Sequence, residues 1–145
     1  MLPYYKRTSI VRRAEPSPSE AELALQLRRD VEVLAIDIGP RGTFAPRSYA
    51  LAAEFLESAL ASAGYGVNRI PLRRSSPTSW NLEASLPGTR RAPRWLVLGA
   101  HYDSVAHCPA ANDNASGVAG VLAVARALAG QQFGLGDRFV LFANE

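Results

Sequence analysis

Three short polar clusters hold side chains able to bind a metal ion and move a proton: His101-Tyr102-Asp103-Ser104, Asn112-Asp113-Asn114-Ala115-Ser116-Gly117 and Asn144-Glu145. Imidazole nitrogen and carboxylate oxygen together suit a borderline cation such as zinc. His101 can supply a ring nitrogen. Asp103 stands two residues further on. In an extended segment it points to the same side, where it can hold the other ring nitrogen and set the tautomer. Asp113 lies beside a helix start, where free backbone N–H groups favour an anion, and a carboxylate there can bridge two metals. Glu145, at a neighbouring strand end, can act as general base toward a metal-bound water.

Each cluster also has a plainer use. His-X-Asp pairs occur widely as surface polar residues. Asn-Asp-Asn is good turn chemistry, and Ser104 and Ser116 suit capping. Glu145 suits an exposed carboxylate. No Gly-X-Ser-X-Gly elbow surrounds either serine, so nucleophilic serine chemistry has no sequence support. What distinguishes the set is position: the clusters fall at the carboxyl ends of predicted strands and at the start of the helix between them, where open α/β sheets build their sites.

The positioning elements read as follows. Residues 1–16 are polar, basic and aperiodic, and are expected to form a flexible tail ahead of one unit over 17–145. Ser17 caps a helix with Pro18 in its first turn; Leu23, Leu27, Val31, Leu34 and Ile38 form its stripe, and Gly39-Pro40 stops it. A second helix starts near Pro46, buries Tyr49, Ala53, Leu56, Leu60 and Ala63, and ends at Gly64. Strands are expected over Tyr65–Leu72 and Ser79–Leu86, separated by a polar loop at Arg73–Thr78, with a turn at Pro87-Gly88-Thr89. The apolar run Trp95–Ala100 predicts a central strand buried on both faces. Ser116–Ala129 predicts a helix apolar nearly all round, with Arg126 its only charge, and Arg138–Phe142 a last strand. This order, α-α-β-β-β-α-β, predicts an α/β sandwich with a mixed sheet.

Composition excludes several classes. Hydrophobic residues are 48% and charged residues 20% of the 145, ordinary for a globular chain. No run of about 18 apolar residues predicts a membrane span. Met1 to Arg13 lacks an apolar h-region and does not read as a secretory signal, so the default expectation is cytoplasmic. Cys108 is the single cysteine, so no internal disulfide can form. The net charge of +3 comes with basic residues spread in pairs, Arg12-Arg13, Arg28-Arg29, Arg73-Arg74 and Arg90-Arg91. They read as a solvated surface and not as a nucleic-acid interface.

Taken in order, Gly99-Ala100-His101-Tyr102-Asp103-Ser104, Ala111-Asn112-Asp113-Asn114-Ala115-Ser116-Gly117 and Phe139-Val140-Leu141-Phe142-Ala143-Asn144-Glu145 resemble the co-catalytic two-zinc aminopeptidases, metallopeptidase family twenty-eight, relatives of glutamate carboxypeptidase. Ile38-Gly39-Pro40-Arg41, Ser48-Tyr49-Ala50 and Asn81-Leu82-Glu83-Ala84 resemble that family's lead-in helices and first strands, so the resemblance spans about residues 20–145. It implies a three-layer α/β sandwich around a mixed, largely parallel sheet, with the metals at strand ends. It implies peptide substrates and two zinc ions. It implies that His101 is the first zinc ligand, that Asp103 orients it, that Asp113 bridges the ions and that Glu145 is the general base. The family's second glutamate, a further aspartate and a final histidine fall after residue 145, and His107 lies too early to be that histidine. The chain is therefore expected to be the N-terminal part of such an enzyme, incomplete at its C-terminus, weak in metal binding and inactive alone, with exposed apolar sheet edges. Three alternatives stay open: a non-catalytic interaction domain of the same fold, a remnant of it, and a one-zinc glutaminyl cyclase-like acyltransferase, since those relatives share a His-Tyr-Asp-Ser segment.

Overall fold

A computed structural model describes residues 17–72, 79–89 and 94–144. The predicted tail over residues 1–16, the polar loop at 73–78 and Glu145 lie outside the described residues. Among those described, helix α1 (Pro18–Glu32) runs into a wider π-helical turn, Val33–Ile38. Helix α2 (Pro46–Ser62), strands β1 (Val67–Pro71), β2 (Trp80–Leu86) and β3 (Trp95–His101), helix α3 (Ser116–Leu128) and strand β4 (Gly136–Phe142) follow.

The predicted punctuation is present. Ser17 Oγ accepts the Glu20 N–H at 3.3 Å while Glu20 Oε2 accepts the Ser17 N–H at 2.7 Å, a reciprocal cap. Pro46 opens α2, where its missing N–H costs nothing. Gly39, at φ +78°, ends the first helical run. The predicted stripe grips only past the end of α1: Leu34, in the π-helical turn, is buried, but Leu23 is 45% exposed. Asp30, buried in the last turn of α1, pairs with Arg126, so the single charge of α3 is the one that clamps α1 to it.

The sheet order is β1-β2-β4-β3. β1–β2 and β2–β4 pair antiparallel, and β3–β4 pair parallel through the α3 crossover. The sheet is mixed as expected, with one parallel pairing among the three described. Leu82, Ala84, Phe139 and Leu141 point to one face and join Leu34, Tyr49, Leu56, Leu60, Val118 and Leu122 in a single core, so α2 and α3 cover that face while α1 packs on α3. The second outer layer of a three-layer sandwich is not among the described residues. On the opposite face Arg138 lies over the Trp95 ring at 4.6 Å and 3.6 Å from Glu83.

One expectation is corrected. β3 is not central among the described strands; β4 takes that place between β2 and β3. Leu96 and Val97 are 60% and 57% exposed, so β3 is not buried on both faces. The continuous apolar run marks a strand made for burial, but neighbours, not composition, decide how much of it is covered.

Three phenols are built into the core. Tyr49 Oη donates to the Ala143 carbonyl, Tyr65 Oη to Ala125 O at 2.8 Å and Tyr102 Oη to Trp80 O at 2.9 Å. Burial pushes all three above their ordinary value of 10.0, Tyr102 furthest. Because the folded values are raised, this contribution to stability is complete below pH about 10 and is lost as pH rises further. In an alkaline titration followed at 295 nm, Tyr49, Tyr65 and Tyr102 should ionise only together with loss of the circular-dichroism signal. Reversible ionisation of all five tyrosines near pH 10 in folded protein would contradict this packing.

Candidate metal centre

The site is assembled where β3 and β4 end side by side. His101 is the last residue of β3 and pairs with Phe142, and the Tyr102 N–H extends the ladder to Phe142 O at 2.8 Å. Immediately beyond, the Tyr102 ring is fully buried and tilts against Tyr49, with ring centroids 5.3 Å apart. Tyr102 thus ties the end of β3 to the start of β2, and Tyr49 ties α2 to Ala143 at the end of β4. Asn81 Oδ1 accepts the Ala143 N–H at 2.9 Å and holds the same strand end from the other side.

The turn before α3 delivers the carboxylate. Ala111–Ala115 is a wide turn in which Asp113 and Asn114 leave helical backbone angles, and their peptide is cis. Asn114 Oδ1 accepts the Gly117 N–H at 3.0 Å and so caps α3. A Cβ at Gly117 would stand 2.2 Å from that oxygen, which is why the motif ends in glycine. Ser116 does not cap: its hydroxyl donates back to Asn112 O at 2.8 Å. Ser104 accepts the Arg41 N–H at 3.0 Å, so neither serine is poised as a nucleophile.

Three of the four predicted site residues meet. His101 Nδ1 lies 3.3 Å from Asp103 Oδ1, and Nε2 lies 3.0 Å from Asp113 Oδ1. The side chains of His101 and Asp103 are 15% and 16% exposed, whereas that of Asp113 is 80% exposed. Glu145, the fourth, lies outside the described residues.

This pairing fits a cation. A neutral imidazole has one N–H. With that hydrogen on the Asp103 side, Nε2 and the Asp113 carboxylate are two lone-pair atoms facing each other at 3.0 Å. A proton or a metal ion between them satisfies both. Two donors each about 2.0–2.2 Å from one zinc ion stand roughly 3–3.5 Å apart. The set is partial: among the described residues no group of three His, Cys, Asp and Glu side chains gathers to hold an ion.

Sequence reasoning missed Arg41. Its side chain is 0% exposed, unlike the solvated surface read for the basic residues, and it bonds into the loop behind the site. Nothing in a lone arginine among Gly39-Pro40-Arg41-Gly42 signals burial. No helix among the described residues is long and apolar enough to cross a membrane.

The family model described as Peptidase family M28 matches residues 81–145. The Escherichia coli K12 protein YfbL is 31% identical over 140 residues, covering 91% of this chain and 43% of its own length. Among solved structures, the Porphyromonas gingivalis glutaminyl cyclase is similar at 26% identity with a TM-score of 0.64, over 84% of this chain and 44% of that one. A candidate zinc-dependent exopeptidase from Bacteroides vulgatus is similar at 26% identity and a TM-score of 0.63, over 82% of this chain and 46% of that one. The chain thus spans less than half the length of each of these relatives.

Proposed function

We propose that this chain, whose residues 81–145 match the family model described as Peptidase family M28, forms part of the catalytic domain of a zinc-dependent exopeptidase of the aminopeptidase type, acting on peptides. The observation that carries the reading is the imidazole of His101 held between Asp103 and Asp113 at a strand end. His101, through Nε2, and Asp113, through its carboxylate, would be the residues that hold zinc here. Zinc, when bound, polarises a carbonyl and makes water a nucleophile near neutral pH. The chain's own groups do the rest. Asp103 accepts the Nδ1 hydrogen and keeps the ring turned toward the ions. The wide turn at Ala111–Ala115 presents the exposed carboxylate of Asp113. Glu145 takes the proton of the attacking water and hands it to the leaving amine.

The similarity to a glutaminyl cyclase at 26% identity favours one competing reading, a one-zinc cyclase. The experiment is a zinc count on the natural-length protein, with parallel assays on amino-terminal peptides and on glutaminyl peptides. Two zinc ions with release of a free amino acid are expected. One zinc with ammonia release from a glutaminyl peptide would replace the peptidase by the cyclase. No zinc and no turnover would reduce the chain to a binding domain of this fold.

A further inference from the structure

Arg41 is the one fully buried charged residue among the largest buried side chains described. Its guanidinium meets five backbone carbonyls: Nε donates to Tyr102 O at 2.6 Å, Nη1 to Leu34 O, Gly39 O and Pro109 O at 3.0, 3.1 and 2.8 Å, and Nη2 to Ala110 O at 3.3 Å. Its backbone adds two more bonds, donating to Ser104 Oγ and accepting from Ser104 N.

The addresses of these carbonyls matter. Tyr102 directly follows His101, whereas Pro109 and Ala110 lead into the turn that carries Asp113. One planar fork therefore grips both ends of the loop between the two candidate ligands. The loop itself is unfavourable to hold: His107 and Ala110 sit at φ +60° and +53°, a left-handed conformation that residues with a Cβ adopt at a cost. Such backbone persists where surrounding bonds over-determine it, and here the carbonyl of Ala110 is one that Arg41 holds. Burial pulls the Arg41 guanidinium below its ordinary value, and the negative charge of Asp103 opposes this, so the cation and the second candidate carboxylate sense each other. A buried cation bonded to carbonyls alone is an expensive way to close a loop, since an apolar side chain would avoid the desolvation. Only a fork of fixed geometry reaches so many carbonyls on separate segments at once.

We propose that Arg41 is a positioning residue, which sets the spacing of His101 and Asp113 by clamping the two ends of the loop joining them. The part of this that concerns metal affinity rests on the zinc reading above; the part that concerns the His101 ring does not.

The test uses the natural-length protein with Arg41→Lys, which keeps the charge and loses the fork. Two readouts are taken: the imidazole 15N signals of His101 in metal-free protein, assigned by their loss in His101→Gln, and titration with cobalt(II) followed by its visible spectrum. The expected result is folded protein in which the His101 signals move and cobalt affinity falls about 10–100-fold, the range seen when a residue supporting a metal ligand is lost. Ser104→Ala, which removes the acceptor of the Arg41 N–H and keeps the guanidinium, should shift the same signals in the same direction by less, and it decides the matter if Arg41→Lys does not fold. Unmoved His101 signals in folded variants would overturn the proposal. So would wild-type cobalt affinity and spectrum in Arg41→Lys, and that outcome would leave the zinc reading intact. If wild-type protein takes up no cobalt while the His101 signals still move in Arg41→Lys, the positioning role stands and the zinc reading fails.

Discussion

His101→Ala in the natural-length protein is expected to lower zinc affinity by more than the roughly 10–100-fold caused by losing a supporting neighbour, and hydrolysis should vanish with the metal. The reason is geometric: Nε2 faces the Asp113 carboxylate at 3.0 Å, and alanine leaves that carboxylate without its nitrogen partner. Asp103→Asn is the intermediate case, because the ring nitrogen remains and only its orientation at Nδ1 weakens. Glu145→Ala should behave differently from both. Loss of a positioned general base lowers the rate about 10²- to 10⁴-fold, while zinc content measured by elemental analysis should stay near wild type. The comparison separates the roles. Full zinc occupancy in His101→Ala would remove it from the ligand set, and near-normal rates in Glu145→Ala would remove that residue as the base.

Phe139→Ala should be the most destabilising single truncation in the described core. Phe139 is 1% exposed, lies on β4 between β2 and β3, and meets Tyr65 edge-on with ring centroids 5.5 Å apart. Truncating a buried phenylalanine costs about 3–5 kcal/mol in lost transfer energy and residual cavity, against a total of roughly 5–15 kcal/mol for a typical domain. A melting experiment should show a drop of roughly 10 °C or more. Leu25→Ala is the control: at 69% exposure it should change stability by no more than about 0.5 kcal/mol. A Phe139→Ala shift as small as the control would mean that β4 is not the packed centre of the fold. Because β4 leads directly into Ala143, which Tyr49 and Asn81 hold beside the site, the same substitution should weaken metal binding at temperatures approaching its melting point.

These expectations differ in where they were visible. Ser17, Gly39 and Pro46 mark helix ends by local chemistry alone, a cap hydroxyl, a positive φ and a missing N–H, and the structure uses each of them so. The stripe of α2 was equally legible, because a helix that must bury one face writes its period into the chain. His101, Asp103 and Asp113 could be picked out as one constellation because residue type limits which atoms can bind a cation, and strand ends limit where they collect.

What the sequence determined by itself, then, was the kind of element at each position and the chemistry available at its end. Strand neighbours were decided only in three dimensions. The run Trp95–Leu98 reads as a buried centre, yet β4 occupies the middle and leaves Leu96 and Val97 exposed, since pairing depends on which distant segment docks alongside. The same holds for the side chains that hold the site in place. Arg41 and Tyr49 look like an ordinary cation and an ordinary aromatic, and each acquires its role from carbonyls 61 to 94 residues away in the chain. A backbone carbonyl carries no mark of its partner in the sequence, because every residue has one.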